Sequence, residues 1–497
     1  MKAKPSKFIK DLFTTGFSQL GVLLFNVLIL RIMTAALSKE YFGLFILMRR
    51  WVAVLLPILT LNLSIALTRY VSYEKENAGF YLHISLLIST AVSSIVFLVF
   101  FLFPQTFAGL FFKSTAFNTF VFILAFFLVA NYVELITYSY FRGKLNMNAA
   151  NAMRVLFYGF PVLLGLVLLL LKIKDYAAFL YLYFLIYSLW GVLMGCYYLR
   201  KEFSSARLKN ILKKKWKSVF NRSRGLFLFS LIRIPSVLFD SLIFSFPVFF
   251  AAHKISVVAA GYMGLVVAVL RLLEIFSMPF NMIFLPKFSS LKKNDDMENI
   301  KSYSLLVLDF IFTFLPILVV MIFGLARFII LIWVGPAYLT IAKSVAAAIL
   351  FSMFYLAFAL IRGILDGLFV FPFNNFIGLS GFFTIAVLSL LMGSNVFRLS
   401  IAFGCGLLLL GLVSIGTLVK KLNLSIPWMV VLKAIAVTLF LFLVLKVVDG
   451  YLLGLNLKGL HFFAICVSYR ILLVLPVWFF YWKKTSWYRE LIKRINF

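Results

Sequence analysis

Several ionisable side chains stand where a bilayer would make them costly. Arg31, Arg49, Arg50, Arg154, Arg233, Arg271 and Arg470, with Glu134, Asp240, Glu274 and Asp309, all fall inside long apolar runs. A charge at the bilayer centre costs roughly 3 kcal/mol on insertion scales, so each should face protein or water. Arginines outnumber carboxylates in this set. The acids cannot neutralise it, and the surplus points to a cavity that receives an anion. Guanidinium suits that task because it stays charged and grips phosphate oxygens with paired donors.

Spacing sorts the candidates further. Arg271 and Glu274 are three residues apart and share a helix face, and Arg233 and Asp240 in "LIRIPSVLFDS", seven apart, again share one. For Asp240 and Glu274 two readings stand, a structural tie to an arginine or part of a working site. Arg49 and Arg50 point about 100° apart on one helix, so at most one faces a cavity squarely. Arg31, near the outer end of helix one, either joins the cavity or snorkels to the interface. Glu134 in helix four and Asp309 in helix nine could carry protons for ion coupling or bond a neighbouring helix. Arg154 lies close to a cytoplasmic loop, and Arg470 reads as structural. His83, His253, His461, Cys196, Cys405 and Cys466 make no metal-ligand or catalytic spacing. No Walker loop is present, so ATP hydrolysis is not expected of the chain. "NDD" at 294–296 reads as a solvated turn. Neither a cofactor nor a metal is expected, and neither is enzymatic activity.

The elements that must position these residues are transmembrane helices. Of 497 residues 64% are hydrophobic and 13% charged, with 60 Phe, against about a quarter charged in soluble domains. The apolar runs are continuous rather than alternating, which excludes a membrane β-barrel. An all-α polytopic fold follows, with about fourteen spans by the ~20-residue criterion. They fall roughly at 12–33, 41–67, 80–103, 117–140, 150–171, 176–199, 225–252, 258–285, 303–325, 339–361, 374–393, 399–419, 428–446 and 459–482. The net charge of +32 comes from basic residues concentrated in the termini and alternate loops. By the positive-inside rule both termini are cytoplasmic. The densest patch, "RKEFSSARLKNILKKKWKSVFNRSR" at 200–224, reads as a topology anchor on anionic headgroups rather than a nucleic-acid site.

Self-comparison shows a repeat. Tyr41, Gly43 and Arg50 of "EYFGLFILMRRW" match Tyr262, Gly264 and Arg271 of "GYMGLVVAVLRLL", each pair 221 residues apart. Pro57 and Pro279 are 222 apart, and "YFRGKLN" at 140–146 answers "LIRGILD" at 360–366 with a spacing of 220. The repeat selects Arg50 over Arg49 as the partner of Arg271. An even number of helices per repeat gives two halves of the same orientation, the parallel-repeat design of a transporter with two facing bundles. The expected division is a six-helix bundle over 1–199, a basic linker over 200–224, a second six-helix bundle over 225–427, and two added helices with a basic tail over 428–497. Intramembrane prolines at 57, 161, 235, 247, 279 and 316 can bend helices.

At these residues the chain resembles the oligosaccharide repeat-unit (O-antigen type) flippases of the multidrug/oligosaccharidyl-lipid/polysaccharide exporter superfamily. The similar stretches are "LILRIMTAALSKEYFGLFIL", "LNLSIALTRYVS", "YFRGKLNMNAANAMRV", "RIPSVLFDSLIFSFPVFFAAHKISVVAAGYMG", "FLPKFSSL" and "LIWVGPAYLTIAKSVAAAILFSMFYLAFALIRGILDGL". Ser236 departs from the pattern, where a glycine is usual. The resemblance implies a two-lobed, fourteen-helix protein of the cytoplasmic membrane that moves an undecaprenyl-diphosphate-linked glycan outward. It matches Arg31, Arg69, Arg142, Arg233, Asp240, Arg362 and Asp366 to the family pattern. The substrate-binding set expected is Arg31, Arg50, Arg233 and Arg271, with Arg69, Arg142, Arg362 and Asp366 at a cytoplasmic gate. Glu134, Asp240, Glu274 and Asp309 serve ion coupling or salt bridges. Membrane lipids and other polysaccharide-assembly membrane proteins are the further partners expected. Two alternatives are a cation-coupled multidrug exporter of the same superfamily, which would favour an acidic cavity, and a membrane glycan polymerase or ligase. The latter generally needs a large outward loop with an acid or base, and the outward loops here are short.

Overall fold

A computed structural model describes residues 5–202, 216–369, 371–426 and 428–454, with 465, 467–472 and 476. Residues 203–215 of the basic segment, most of the helix expected over 459–482, His461 and Cys466 lie outside the described residues. In chain order the helices are α1 (Pro5–Ala36), α2 (Lys39–Leu59), α3 (Leu63–Tyr73), α4 (Ala78–Leu102), α5 (Pro104–Phe112), α6 (Asn118–Gly143), α7 (Met147–Leu170) and α8 (Tyr176–Leu199). There follow α9 (Trp216–Leu231), α10 (Ile234–Lys254), α11 (Val257–Leu273), α12 (Met278–Lys293), α13 (Met297–Phe323), α14 (Ala326–Trp333), α15 (Ala342–Leu368), α16 (Phe373–Met392), α17 (Val396–Leu422) and α18 (Trp428–Gly454). Among the described residues 13 helical segments are long and apolar enough to cross a membrane. The protein is an all-α, multi-pass membrane protein.

In so uniformly apolar a chain, sparse polar residues set where helices begin. A side-chain oxygen at the N-cap satisfies an orphan backbone N–H that lipid could not. Ser38, Asn146, Asp175 and Asn395 accept from the N–H groups of Tyr41, Ala149, Ala177 and Arg398. Asp296, of the "NDD" stretch, does the same for Asn299 at 3.1 Å and accepts from the Asn299 side chain at 2.7 Å. Those two bonds hold its carboxyl below the usual carboxylate range.

Three expected spans are broken. Residues 41–67 divide after Pro57, where α2 stops at Leu59, and Leu61 and Asn62 take left-handed φ of 46° and 53° before α3 starts. Thr60 Oγ1 donates to Leu56 O at 2.8 Å, and Asn62 N donates to Pro57 O at 2.9 Å. The backbone carbonyls at the break are thereby re-satisfied locally. A turn at 232–233 separates α9 from α10, with Pro235 in the first turn of α10. Proline's missing N–H and its effect on the preceding residue favour such a restart. Past Leu273, one 3₁₀ turn over Glu274–Phe276 ends the α11 span, and Ser277 N donates to Glu274 O at 2.9 Å.

The helices gather into two compact units, 1–264 and 265–497. In the first, α1 packs on α7, α6 lies between α3 and α8, and α10 lies along α2. The repeat-related glycines Gly43 and Gly264 both serve one close crossing of α2 with α11. A Cβ on Gly43 would overlap Val257 O and stand 2.9 Å from Val257 Cγ1, and one on Gly264 would stand 3.0 Å from Ile46 Cγ1. Membrane helices rely on such small residues because lipid supplies no hydrophobic drive for association. In the second unit α15 is the centre, packed by α12, α13 and α17, while α18 joins α13 through Ile317, Leu441 and Leu445.

Gly43→Leu should therefore destabilise the first unit by about 1–3 kcal/mol, the usual range for overpacking. Gly416→Leu, at a position with no neighbour within 4 Å, should leave the thermal unfolding midpoint of the detergent-solubilised protein unchanged. Equal midpoints for the two variants would disprove the crossing's tightness.

Candidate functional site

Within the first unit, α1, α2, α6, α7 and α8 enclose a cavity of about 220 Å³. Its cation is Arg49. The guanidinium donates to Asn26 Oδ1 on α1 and lies 5.5 Å from the ring centre of Phe45. Among the described residues no carboxylate forms an ion pair with it. Tyr158, Tyr183, Tyr187 and Asn131 complete the polar part of the wall. Aromatic stacking holds that wall in place, with Phe45 5.7 Å from Phe184, and Phe127 4.9 Å from Phe184 and 5.2 Å from Tyr187. A guanidinium and phenol hydroxyls together can donate to an anion, and the rings exclude competing water. The repeat singles out Arg50, but the residue that lines this cavity is Arg49, one position earlier. Arg50 is half-buried on the next position of α2.

Beside the cavity, Glu134 on α6 is only 4% exposed, and its Oε1 has no hydrogen-bond partner. Arg154 on α7 is the cation whose charge acts on it. That arginine lies 4.5 Å from the Tyr138 ring centre and 5.9 Å from that of Tyr158. Glu134 is buried and Arg154 half-buried, and among the described residues the two form no closed salt bridge. Gln19 Nε2 donates to Tyr138 OH at 3.5 Å, and Arg142 approaches the same ring at 5.4 Å.

In the second unit a different arrangement surrounds Arg271. Its Nη1 donates to Glu274 Oε1 at 2.7 Å, and the Tyr355 hydroxyl donates to the same oxygen from α15. Side-chain exposure is 40% for Arg271 and 15% for Glu274. The carboxylate is thus the anchored, more buried partner, and the guanidinium the more exposed one. The 3₁₀ turn makes this geometry, since it begins at Glu274 and lets Ser277 Oγ donate to Glu274 O at 3.0 Å.

The remaining sequence candidates are dispersed. Arg31 is exposed on α1. Arg69 and Arg233 both approach the Phe229 ring, at 4.3 and 3.9 Å, and Asp240 is half-buried on α10. Asp309 is buried on α13. At the end of α15, Asn374 Nδ2 donates to Asp366 Oδ1 at 2.7 Å and to Arg362 O at 3.3 Å, tying α16 to that end. Arg470 is buried. Among the described residues no group of His, Cys, Asp and Glu could hold a metal. His83 and His253 instead bond backbone carbonyls. Sequence reasoning passed over Asn26, Asn131, Tyr158, Phe229 and Tyr355. Nothing in their local pattern distinguishes them, because each acquires its role from a partner outside its own helix.

Replacing Glu274 by Gln should cost more stability than Tyr355→Phe, because it removes the charged partner of Arg271 rather than one donor. Hydrogen bonds to charged groups contribute about 1.5–3 kcal/mol and neutral ones about 0.5–1.5 kcal/mol. Thermal unfolding of both variants and of the double variant gives the coupling, and strict additivity would mean the three residues do not act together.

No curated protein matches the chain in sequence. Among solved structures, lipid II flippase MurJ in an inward closed conformation is similar, with a TM-score of 0.67 at 15% identity, covering 97% of this chain and 100% of that one. An inward-facing multidrug resistance MATE family transporter of the MOP superfamily gives 0.66 at 11% identity, covering 82% and 98%. An outward-facing transporter of that kind gives 0.59 at 13%, covering 85% and 97%. At such identities the likeness is one of fold. The sequence itself matches the family model described as polysaccharide biosynthesis protein over residues 8–292. That stretch is more than half of the chain and includes Arg31, Arg49, Glu134, Arg233, Arg271 and Glu274. The chain therefore belongs to the polysaccharide biosynthesis protein family, on the fold of the multidrug/oligosaccharidyl-lipid/polysaccharide exporter superfamily.

Proposed function

We propose that the protein is a flippase that carries an undecaprenyl-diphosphate-linked oligosaccharide from the inner to the outer leaflet of the cytoplasmic membrane for surface polysaccharide assembly. The observation that carries this reading is Arg49, a guanidinium within a membrane-spanning helix whose partners are an amide and a phenyl ring. A cation kept without a carboxylate in low dielectric stabilises an anion that passes or binds, and a lipid diphosphate is such an anion. The work is translocation rather than bond-making, with no cofactor. Both termini lie in the cytoplasm on this reading, and the halves 1–199 and 225–427 alternate the exposure of a cationic path to the two membrane faces. Arg31, Arg50, Arg233 and Arg271 contribute to that path, with Arg69, Arg142, Arg362 and Asp366 at its cytoplasmic gate. Residues 200–224 rest on anionic headgroups, and 428–497 form an addition to the repeat.

The cavity of about 220 Å³ is below the ~300–1,000 Å³ of ordinary ligand pockets. It therefore receives a headgroup fragment, not the whole glycan. A multidrug exporter is the second reading, favoured by the MATE-like fold. Cationic drugs would meet arginine here, and the sign of the charge favours the flippase.

Deletion of the gene should cause lipid-linked oligosaccharide to accumulate on the cytoplasmic leaflet, with loss of surface glycan. In complementation, Arg49→Gln and Arg271→Gln should each lower export about tenfold or more, as expected for a lost charge-assisted bond. Lysine should restore part of the activity, and Arg470→Gln should cost less. Normal surface glycan in the deletion strain, with no redundant flippase, would remove the proposal.

A further inference from the structure

The short helix α5 ends against side chains from two other helices. Leu110 and Phe111 fall in its last turn, where a carbonyl finds no N–H four residues on within the helix. Phe111 O accepts from Trp51 Nε1 of α2 at 3.1 Å, and Leu110 O lies 2.7 Å from His253 Nε2 of α10. The Trp51 ring centre is 4.3 Å from that of Phe111 and stacks on Phe249 of α10 at 4.1 Å. Trp51 is therefore held between α5 and α10. Four residues past His253, Val257 O packs against Gly43 of α2, so this end of α10 leads into the α2–α11 crossing.

His253 differs from the other members in what its ring must bond. Its Nδ1 lies 2.8 Å from Phe249 O, one turn back on α10, so both ring nitrogens face carbonyl oxygens. A carbonyl only accepts, and a neutral imidazole carries one N–H. The neutral ring bonds one oxygen and sets a lone pair against the other, whereas an imidazolium donates to both. The last turns of α5 and α10 also bring the negative ends of two helices to this ring. On the elements that meet here, the other charged residues are Lys254 of α10, Lys113 at the end of α5, and Lys39, Glu40, Arg49 and Arg50 of α2. Among the described residues no carboxylate forms an ion pair with His253. Histidine is the residue type among them that titrates between about pH 5 and 8.

Three segments long and apolar enough to cross a membrane precede α5, and the seventh ends at Lys254. With both termini in the cytoplasm, α5 and the end of α10 therefore stand at the outer face. The sequence repeat assigns α2 and α5 to the first half of the chain and α10 to the second. We propose that α5 is an outer latch, clamped by Trp51 and His253, that holds the outer ends of α2 and α10 together and loosens when His253 gives up a proton. Acid supplies the second imidazole bond and tightens the latch. Alkali removes it. The latch rests on the reading in which the two halves alternate exposure, and it adds to that reading the side chains that keep the outer side shut and a dependence on external pH.

The test is the distance between spin labels on Gln105→Cys of α5 and Lys254→Cys of α10, in the full-length protein in nanodiscs with Cys196, Cys405 and Cys466 replaced by Ser. Between about pH 5.5 and about pH 8 the ratio of the longer to the shorter separation should rise roughly three- to tenfold, the effect of one lost hydrogen bond. His253→Gln, which keeps a donor but does not titrate, should hold that ratio constant. Trp51→Phe should raise it at both pH values and keep the pH dependence. Thermal unfolding gives a second reading, since the advantage of the native protein over His253→Gln should be larger at the lower pH. A native ratio that does not move with pH, a response that persists in His253→Gln, or an equal advantage at both pH values would each overturn the latch. Neither measurement involves a substrate, so these failures leave the flippase reading intact, and the deletion strain tests that reading separately.

Discussion

Every part of this structure answers one constraint, that a charge or an unpaired backbone group inside a membrane must find its partner within the protein. For the guanidinium groups the partners are unusual. Arg49 is held by an amide oxygen and a phenyl ring, and Arg69 by two aromatic rings. Neutral partners solvate a cation without cancelling it. Arg271 is the contrast, since Glu274 neutralises it and Tyr355 fixes Glu274. The protein thus contains both kinds of arginine, one kept electrostatically open and one tuned by a fixed carboxylate.

The same constraint explains why the three helix breaks coincide with the polar sites. Interrupting a membrane helix frees carbonyls and N–H groups, which must be bonded again at once. After Pro57 this is done by Thr60 and Asn62, and by Ser230 from α9. After Leu273 it is done by a 3₁₀ turn that begins at Glu274. Each repair brings polar atoms to membrane depth. Arg233 and Arg271 each stand at or beside such a break, while Arg69 follows the α2–α3 elbow by less than two turns.

Much of this was legible from the residues alone. Continuous apolar runs gave membrane helices, and the 221-residue echo between "YFGLFILMRR" and "YMGLVVAVLR" paired positions in two stretches of the chain. Its glycines, Gly43 and Gly264, meet at one helix crossing. The echo also pointed to Arg50, whereas the cavity holds Arg49. A repeat records equivalent positions in two halves, but which of two adjacent arginines enters a cavity depends on helix rotation of about 100°. Helix breaks were missed for a related reason, because Leu61, Ile232 and Glu274 carry no local signal stronger than the apolar runs around them.

Composition and order by themselves determined the class of molecule, its helical build, the repeat, and the surplus of intramembrane cations, because the price of polar groups in lipid is set residue by residue. Only the tertiary structure decided which cations act together. Phe229 joins Arg69 to Arg233 across 164 positions of chain, and Tyr355 reaches Glu274 across 81. Such meetings depend on helix packing, rotation and breaks, which are collective properties of the folded chain and are written in no single stretch of it.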